Sequence, residues 1–264
     1  SLTLSPEQFS AWGWRIPFLA SAVLVIIGLY VRFKLVETPA FTKVVDSGEV
    51  AKLPLARVFK TSWRPLILGT FIMLATYTLF YLMTTFTLTF GTAAKDADVA
   101  GLGYTRPEFL VMLIIGVVFF GIFTLVSGPL AERFGRRAML LVVTAGIIAF
   151  GFLFVPLLGG GGVGVMAMLI LGFTLMGLTF GPMAAVLPEL FPTNVRYTGS
   201  AISYNLASIL GAAVAPFIAV ALWTAGGGSP FLVGVYLAAM GAITFVALLI
   251  SRETRDIDYS GNVA

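Results

Sequence analysis

The chain of 264 residues contains no cysteine and no histidine. Without cysteine there is no disulfide framework and no thiol nucleophile. Without histidine as well, neither a zinc site of the usual ligands nor imidazole acid–base chemistry is open to it. Charge is the next shortage: Asp, Glu, Lys and Arg make up 11% of residues, against roughly 25% in soluble domains. Apolar residues take their place, with 59% hydrophobic residues and a mean hydropathy of +1.01. A soluble core of this length cannot hide that much apolar surface, so much of it must face lipid. The composition reads as a polytopic membrane protein. The net charge of +4 does not point to nucleic acid, because the basic residues are spread over loops between apolar runs. No signal peptide is read, since the first apolar run follows a single cation and lacks a cleavage signature. The chain starts at Ser1 rather than Met and reads as a fragment or a processed chain.

Runs of about 20 apolar residues cross a bilayer as helix. Seven are present: Ile16–Phe33, Pro65–Phe90, Phe109–Leu130, Ala138–Leu158, Val163–Leu187, Thr198–Trp223 and Pro230–Ile250. Each must be helical, because lipid-exposed backbone has to satisfy its hydrogen bonds within the segment. The expected fold is therefore all-α, with seven transmembrane helices.

The densest charge cluster, Gly128-Pro129-Leu130-Ala131-Glu132-Arg133-Phe134-Gly135-Arg136-Arg137, falls between the third and fourth runs. One acid and three arginines are costly in hydrocarbon, so this decapeptide is expected as a tight hairpin at a membrane surface. Its three cations mark that surface as cytoplasmic. Alternating the loops from there puts thirteen of the sixteen Lys and Arg inside. Arg15, Lys95 and Arg106 remain outside. The expected orientation is N-terminus outside, C-terminus cytoplasmic.

The connections differ in character. The inside segment from Lys34 to Arg64 is the longest, and Pro54-Leu55-Ala56-Arg57-Val58-Phe59-Lys60 within it reads as a short amphipathic surface helix. Leu55, Val58 and Phe59 share one side, leaving Arg57 and Lys60 free to reach lipid headgroups. Gly159–Gly164 reads as a flexible outside turn; no Lys-Ser/Thr follows it, which excludes a phosphate loop. A weak repeat joins the first and seventh runs. One opens Pro17-Phe18-Leu19 and closes Val36-Glu37-Thr38; the other opens Pro230-Phe231-Leu232 and closes Arg252-Glu253-Thr254. Copies six spans apart are what parallel six-helix repeats give.

Polar side chains on one stripe inside hydrocarbon are candidates for a solute path. The second run carries Thr70, Tyr77, Thr78, Tyr81, Thr84 and Thr85 at spacings of three and four. The sixth carries Ser203, Tyr204, Asn205 and Ser208. A threonine can satisfy its hydroxyl on its own helix, and Asn205 can serve as interhelical glue, so packing is the alternative reading. Gly177 and Gly181 form a small-xxx-small face, and Pro182 and Pro216 are expected to bend their helices. No Asp, Glu, Lys or Arg lies in the middle of any run. Proton coupling needs a titratable group in the pathway, so any coupling acid must lie outside this chain.

These motifs carry a family resemblance. Gly128–Arg137 resembles the second copy of the signature loop of major facilitator superfamily transporters, with Glu132 where Asp is usual. Pro188-Glu189-Leu190-Phe191-Pro192-Thr193-Asn194-Val195-Arg196 resembles the loop before the eleventh helix of that superfamily. Trp14-Arg15-Ile16-Pro17-Phe18-Leu19 and Glu37-Thr38-Pro39-Ala40-Phe41 are similar to segments of its metabolite:proton symporters, carriers of shikimate, α-ketoglutarate, citrate, proline or betaine.

The resemblance implies helices six to twelve of a twelve-helix transporter. Residues 1–34 would hold the last helix of an amino-terminal bundle, 35–64 a cytoplasmic linker, 65–251 the carboxy-terminal six-helix bundle and 252–264 a tail. It implies proton symport of a small organic acid or zwitterionic metabolite across a bacterial inner membrane, by alternating access. Its partners would be the metabolite, protons, the bilayer and the missing amino-terminal bundle, with no cofactor, metal, nucleic acid or enzymatic activity.

Candidate substrate contacts are Tyr77, Tyr81, Thr84, Tyr204, Asn205 and Ser208. Candidate gating residues are Gly128, Glu132, Arg133, Gly135, Arg136, Arg137, Glu189 and Arg196, whose contacts would break when the cytoplasmic seam opens; a plain topology signal is the simpler reading of the hairpin. The alternatives in function are an ion-independent facilitator of a sugar-like solute, a seven-helix receptor and, with least support, a membrane-embedded enzyme.

Overall fold

The structure, a computed structural model, describes residues 4–34 and 54–254. The motif Glu37–Phe41 and the closing residues of the first repeat copy lie outside the described residues, as do Lys43, Lys52 and Arg255. The chain divides into two compact units, Ser1–Glu49 and Val50–Ala264. No strand is present among the described residues.

In the first unit a three-residue helical turn and a π-helical turn, Phe9–Gly13, lead into helix α1, Arg15–Lys34. Its apolar side chains run round the whole circumference, the pattern of a membrane helix rather than an amphipathic one.

The second unit begins with α2, Pro54–Thr61, which meets α3, Trp63–Tyr81, at Ser62. A π-helical segment, Leu82–Phe86, carries α3 into α4, Thr87–Thr92. Then follow α5, Arg106–Phe134, α6, Arg136–Phe152, α7, Phe154–Leu158, and α8, Gly161–Glu189. Helix α9, Arg196–Ser208, passes through a second π-helical segment, Ile209–Ala213, into α10, Ala215–Ala225; α11 is Phe231–Ile250.

Six of the resulting rods are long and apolar enough to cross a membrane: Phe9–Lys34, Trp63–Thr92, Arg106–Phe134, Gly161–Glu189, Arg196–Ala225 and Phe231–Ile250. The fourth expected span is divided. Helix α6 has 17 residues, about 26 Å at 1.5 Å per residue, and a turn at Leu153 hands the chain to α7.

Local chemistry sets several boundaries. Thr105 caps α5: the Glu108 amide donates to its hydroxyl, and its own amide donates to the Glu108 carboxylate at 2.9 Å, a reciprocal capping box. The rod that holds Pro216 bends at Val214, and Pro216 sits in the first turn of α10 just beyond it, where a missing N–H costs nothing. Helix α8 runs through Pro182 and Pro188 and ends only at Glu189.

The core lies between helices. Helices α5 and α8 pack closely because Gly177 and Gly181 present no side chain: a Cβ at Gly177 would lie 2.6 Å from the Phe120 carbonyl oxygen. Helix α11 packs on α3 and α6. There Thr244 inserts into the backbone ladder of α3, its hydroxyl donating to the Phe71 carbonyl at 2.7 Å and accepting the Ala75 amide at 3.0 Å. The outer side of α5 exposes Ile114, Val118, Ile122 and Leu125, one helical stripe suited to lipid.

Candidate functional site

The expected hairpin is tighter than its decapeptide suggests. Helix α5 continues to Phe134 and α6 starts at Arg136, so Gly135 alone makes the turn, with φ +92°. Glu132 and Arg133 are therefore helical, and Gly128 is exposed with open space beside it. The charges sit on helix ends, where backbone groups lack intrahelical partners.

Those ends are bound together. The Arg136 guanidinium donates to Glu132 at 2.8 Å and to Glu189 at the end of α8. Glu132 is 63% exposed while Arg136 and Glu189 are largely buried, so the second pair carries the geometry. The bond to Glu189 holds the Arg136 pKa above its ordinary value; burial works against the rise and the bond to Glu132 adds to it. The second Glu189 oxygen is buried without a hydrogen-bond partner. Arg137 donates to the carbonyls of Leu248 and Leu249 at the end of α11, each at 2.8 Å, which satisfies two terminal acceptors of that helix.

Arg133 lies over the Phe134 ring, and Arg196 donates to the Phe191 carbonyl at 3.3 Å. The sequence places Glu189 and Arg196 on either side of one break, yet Glu189 finds its partner in Arg136. Arg136 and Arg137 find their partners within this unit.

Glu253 is the residue that sequence reasoning passed over. Its carboxylate accepts the backbone amides of Arg136 and Arg137, both at 3.1 Å, and so closes the N-terminus of α6. Its only sequence signal was membership of the repeat copy Arg252-Glu253-Thr254.

Deeper in the bundle the polar stripes divide. Thr70, Thr78 and Thr84 each donate to the carbonyl four residues back, the packing alternative for these residues. Tyr77 and Tyr204 meet edge to face, ring centroids 5.4 Å apart. The Tyr77 hydroxyl is buried with no hydrogen-bond partner. Tyr204 is 44% exposed and lines a cavity of about 370 Å³ with Met73, Phe180, Met183, Tyr197 and Ser200. Tyr81 is half-buried against the Phe80 ring.

Asn205 and Ser208 are not in that cavity lining. The Asn205 amide donates to the Ala201 carbonyl at 2.7 Å and borders a shallower groove with Tyr197 and Thr198; Ser208 is half-buried. Both π-helical segments fall just beyond these residues, after Tyr81 and after Ser208. The second lies against α3 because it carries Gly211: a Cβ there would meet the Leu74 carbonyl oxygen at 2.8 Å.

The sequence that forms these long apolar helices and the charged one-residue hairpin matches a known family over residues 4–216, the Major Facilitator Superfamily. The chain belongs to the major facilitator superfamily. It is 55% identical over 257 residues to the inner membrane metabolite transport protein YhjE of Escherichia coli (strain K12), covering 97% of this chain and 57% of that protein. It is 29% identical over 278 residues to the proline/betaine transporter of Salmonella typhimurium, covering 99% of the chain and 52% of the relative. A citrate-proton symporter of Salmonella typhi is 29% identical over 261 residues, 97% of the chain and 57% of the symporter. The chain thus spans little more than half the length of these relatives. No solved structure matches it.

Proposed function

We propose that the chain is the carboxy-terminal half of a secondary transporter that moves a small organic acid or zwitterionic metabolite with protons, alternating access by rocking two bundles. On this reading residues 1–34 belong to the first bundle, 35–64 are the linker, 65–251 form the second bundle and 252–264 are a cytoplasmic tail. The C-terminus is then cytoplasmic, at a bacterial inner membrane. The relatives' names, which include a proline/betaine transporter and a citrate-proton symporter, support that cargo class.

The observation that carries the mechanism is the Glu132–Arg136–Glu189 bridge, which ties the adjoining ends of α5, α6 and α8 at one membrane surface. Charge-assisted bonds of this kind hold the three helix ends to one another, so that this bundle keeps its shape as it rocks against the other. Gly128, Arg133, Gly135, Arg137 and Arg196 complete this charged end. The cargo side is assigned to the cavity at Tyr204, with Tyr77 behind it and Tyr81, Thr84, Asn205 and Ser208 along the flanking stripes. Among the described residues no charged side chain lies mid-span, so the coupling acid is assigned to the other bundle.

The test is uptake by the full-length protein across organic acids, betaines and sugars, with and without a proton gradient. Acid or betaine uptake that collapses with the gradient is expected. Robust sugar uptake with no uptake of acids or zwitterions would overturn the cargo assignment. Glu132→Gln should impair transport while leaving membrane insertion intact; unchanged turnover reduces the hairpin to a topology signal.

A further inference from the structure

Helix α2 is oriented differently from the expectation drawn from its period. Leu55 and Phe59 are exposed, at 59% and 54%, but Val58 is fully buried. Val58 joins a small cluster with Leu66 of α3 and with Phe191 and Val195 of the α8–α9 loop. Arg57 and Lys60 are exposed. Ser62 bends the chain, with φ −124°, straight into Trp63, which is itself half exposed and carries the Arg64 guanidinium 5.3 Å from its ring centre. Residues 54–64 hold three cations and no acid.

We propose that α2 lies on the anionic headgroup surface of the bilayer and that Val58 passes its position to the α8–α9 loop. Four observations converge on this occupant. Helix α2 is joined through one residue to a membrane-crossing helix, so it has to lie at headgroup depth. Leu55 and Phe59 are large apolar groups left uncovered on a helix with a basic side, the pattern of an interfacial helix. Trp63 is an interface anchor. Arg57, Lys60 and Arg64, which pair with no acid among the described residues, supply positive charge beside a surface that is negative wherever acidic lipids are present.

The linkage to the loop is equally local. Phe191 shares a buried cluster with Val58, its carbonyl accepts from Arg196, and two residues earlier Glu189 bonds Arg136. Any shift of α2 against the membrane therefore bears on the segment that holds the charged clamp. This last step rests on the gating reading of Glu189; the lipid contact does not.

The test uses the full-length protein in vesicles of phosphatidylcholine alone or mixed with phosphatidylglycerol. These 264 residues hold no cysteine, so in a full-length background whose other cysteines, where present, are replaced by serine, Phe59→Cys supplies a single thiol, to be labelled with a polarity-sensitive fluorophore. With phosphatidylglycerol the emission is expected to shift to the blue and to lose quenching by iodide. Arg57→Glu with Lys60→Glu should return it to the phosphatidylcholine value. Equal emission in both vesicles, or a shift that survives the charge reversal, overturns the lipid contact.

Wild-type transport is expected to be faster with phosphatidylglycerol than without it; Val58→Ala should keep the emission shift but lose that dependence. If that dependence persists, the mechanical step is wrong. If Glu189→Gln leaves transport untouched while the emission shift stands, the gating reading fails and the lipid contact survives.

Discussion

At Gly135 the backbone turns from α5 into α6 with φ +92° and ψ +139°, a conformation open to glycine and strained for any residue with a Cβ. A Cβ there would also lie 2.8 Å from the Glu253 carboxylate, which is occupied with the first amides of α6. Gly135→Ala is therefore expected to cost about 1–3 kcal/mol. A lowered thermal midpoint in detergent would register it, and an unchanged midpoint would mean that the turn relaxes freely. Arg136 next door is a different case, because its side chain is used as a fork. Its pKa is raised, chiefly by the bond to Glu189. A group raised in this way contributes fully below its ordinary value and is lost only as pH climbs through the raised one, so the arginine stays charged at any pH a cell reaches. Arg136→Lys keeps the charge but cannot span Glu132 and Glu189 together. Transport by that variant should fall toward the level of Arg136→Ala, and recovery to the wild-type rate would show that charge alone suffices.

Between helices, closeness is what the glycines provide. Gly181 faces Ser127 and the Thr124 carbonyl oxygen, the latter 2.9 Å from where a Cβ would stand. Gly181→Leu has to push α8 away from α5, at a cost of about 1–3 kcal/mol by overpacking. Lower yield and a lower melting midpoint in detergent are the expected readouts, and wild-type melting would contradict the packing described for this pair. The small-xxx-small spacing of Gly177 and Gly181 was legible in the sequence because helical period alone puts both on one face. The positions of the long apolar rods were legible for the same reason, since length and hydropathy decide them. What stayed hidden depends on which helices become neighbours. Thr244 looks like any threonine in an apolar run until α11 is laid on α3 and its hydroxyl enters the Phe71–Ala75 ladder. Glu253 is one acid in a tail until the end of α11 reaches the start of α6. Val58 reads as part of a lipid-facing stripe until the α8–α9 loop covers it. The Tyr77–Tyr204 contact also needed two helices to be placed, although each tyrosine had been singled out on its own stripe.

For the molecule as a whole, the proposed rocking of two bundles requires each bundle to keep its shape while their seam opens. The carboxy-terminal unit has few devices for that at its charged end, because apolar helices in lipid are not driven together by the hydrophobic effect. Three ties substitute for it: Arg136 to Glu189, Arg137 to the last carbonyls of α11, and Glu253 to the first amides of α6. Together they join α6, α8 and α11 into one platform, to which α5 is attached through Gly135. Glu189→Gln removes the most buried of the ionic ties, and the exposed Glu132 is too well solvated to replace it. Without the tie, the end of α8 and the loop as far as Arg196 should open locally more often, since local opening follows the number of bonds that must break. Hydrogen–deuterium exchange on the full-length protein should then be faster in peptides covering residues 188–196, with peptides from the middle of α5 unchanged. Transport should fall in the same variant. Faster exchange with normal transport would separate rigidity from function, and unchanged exchange would mean that Glu189 is no clamp at all.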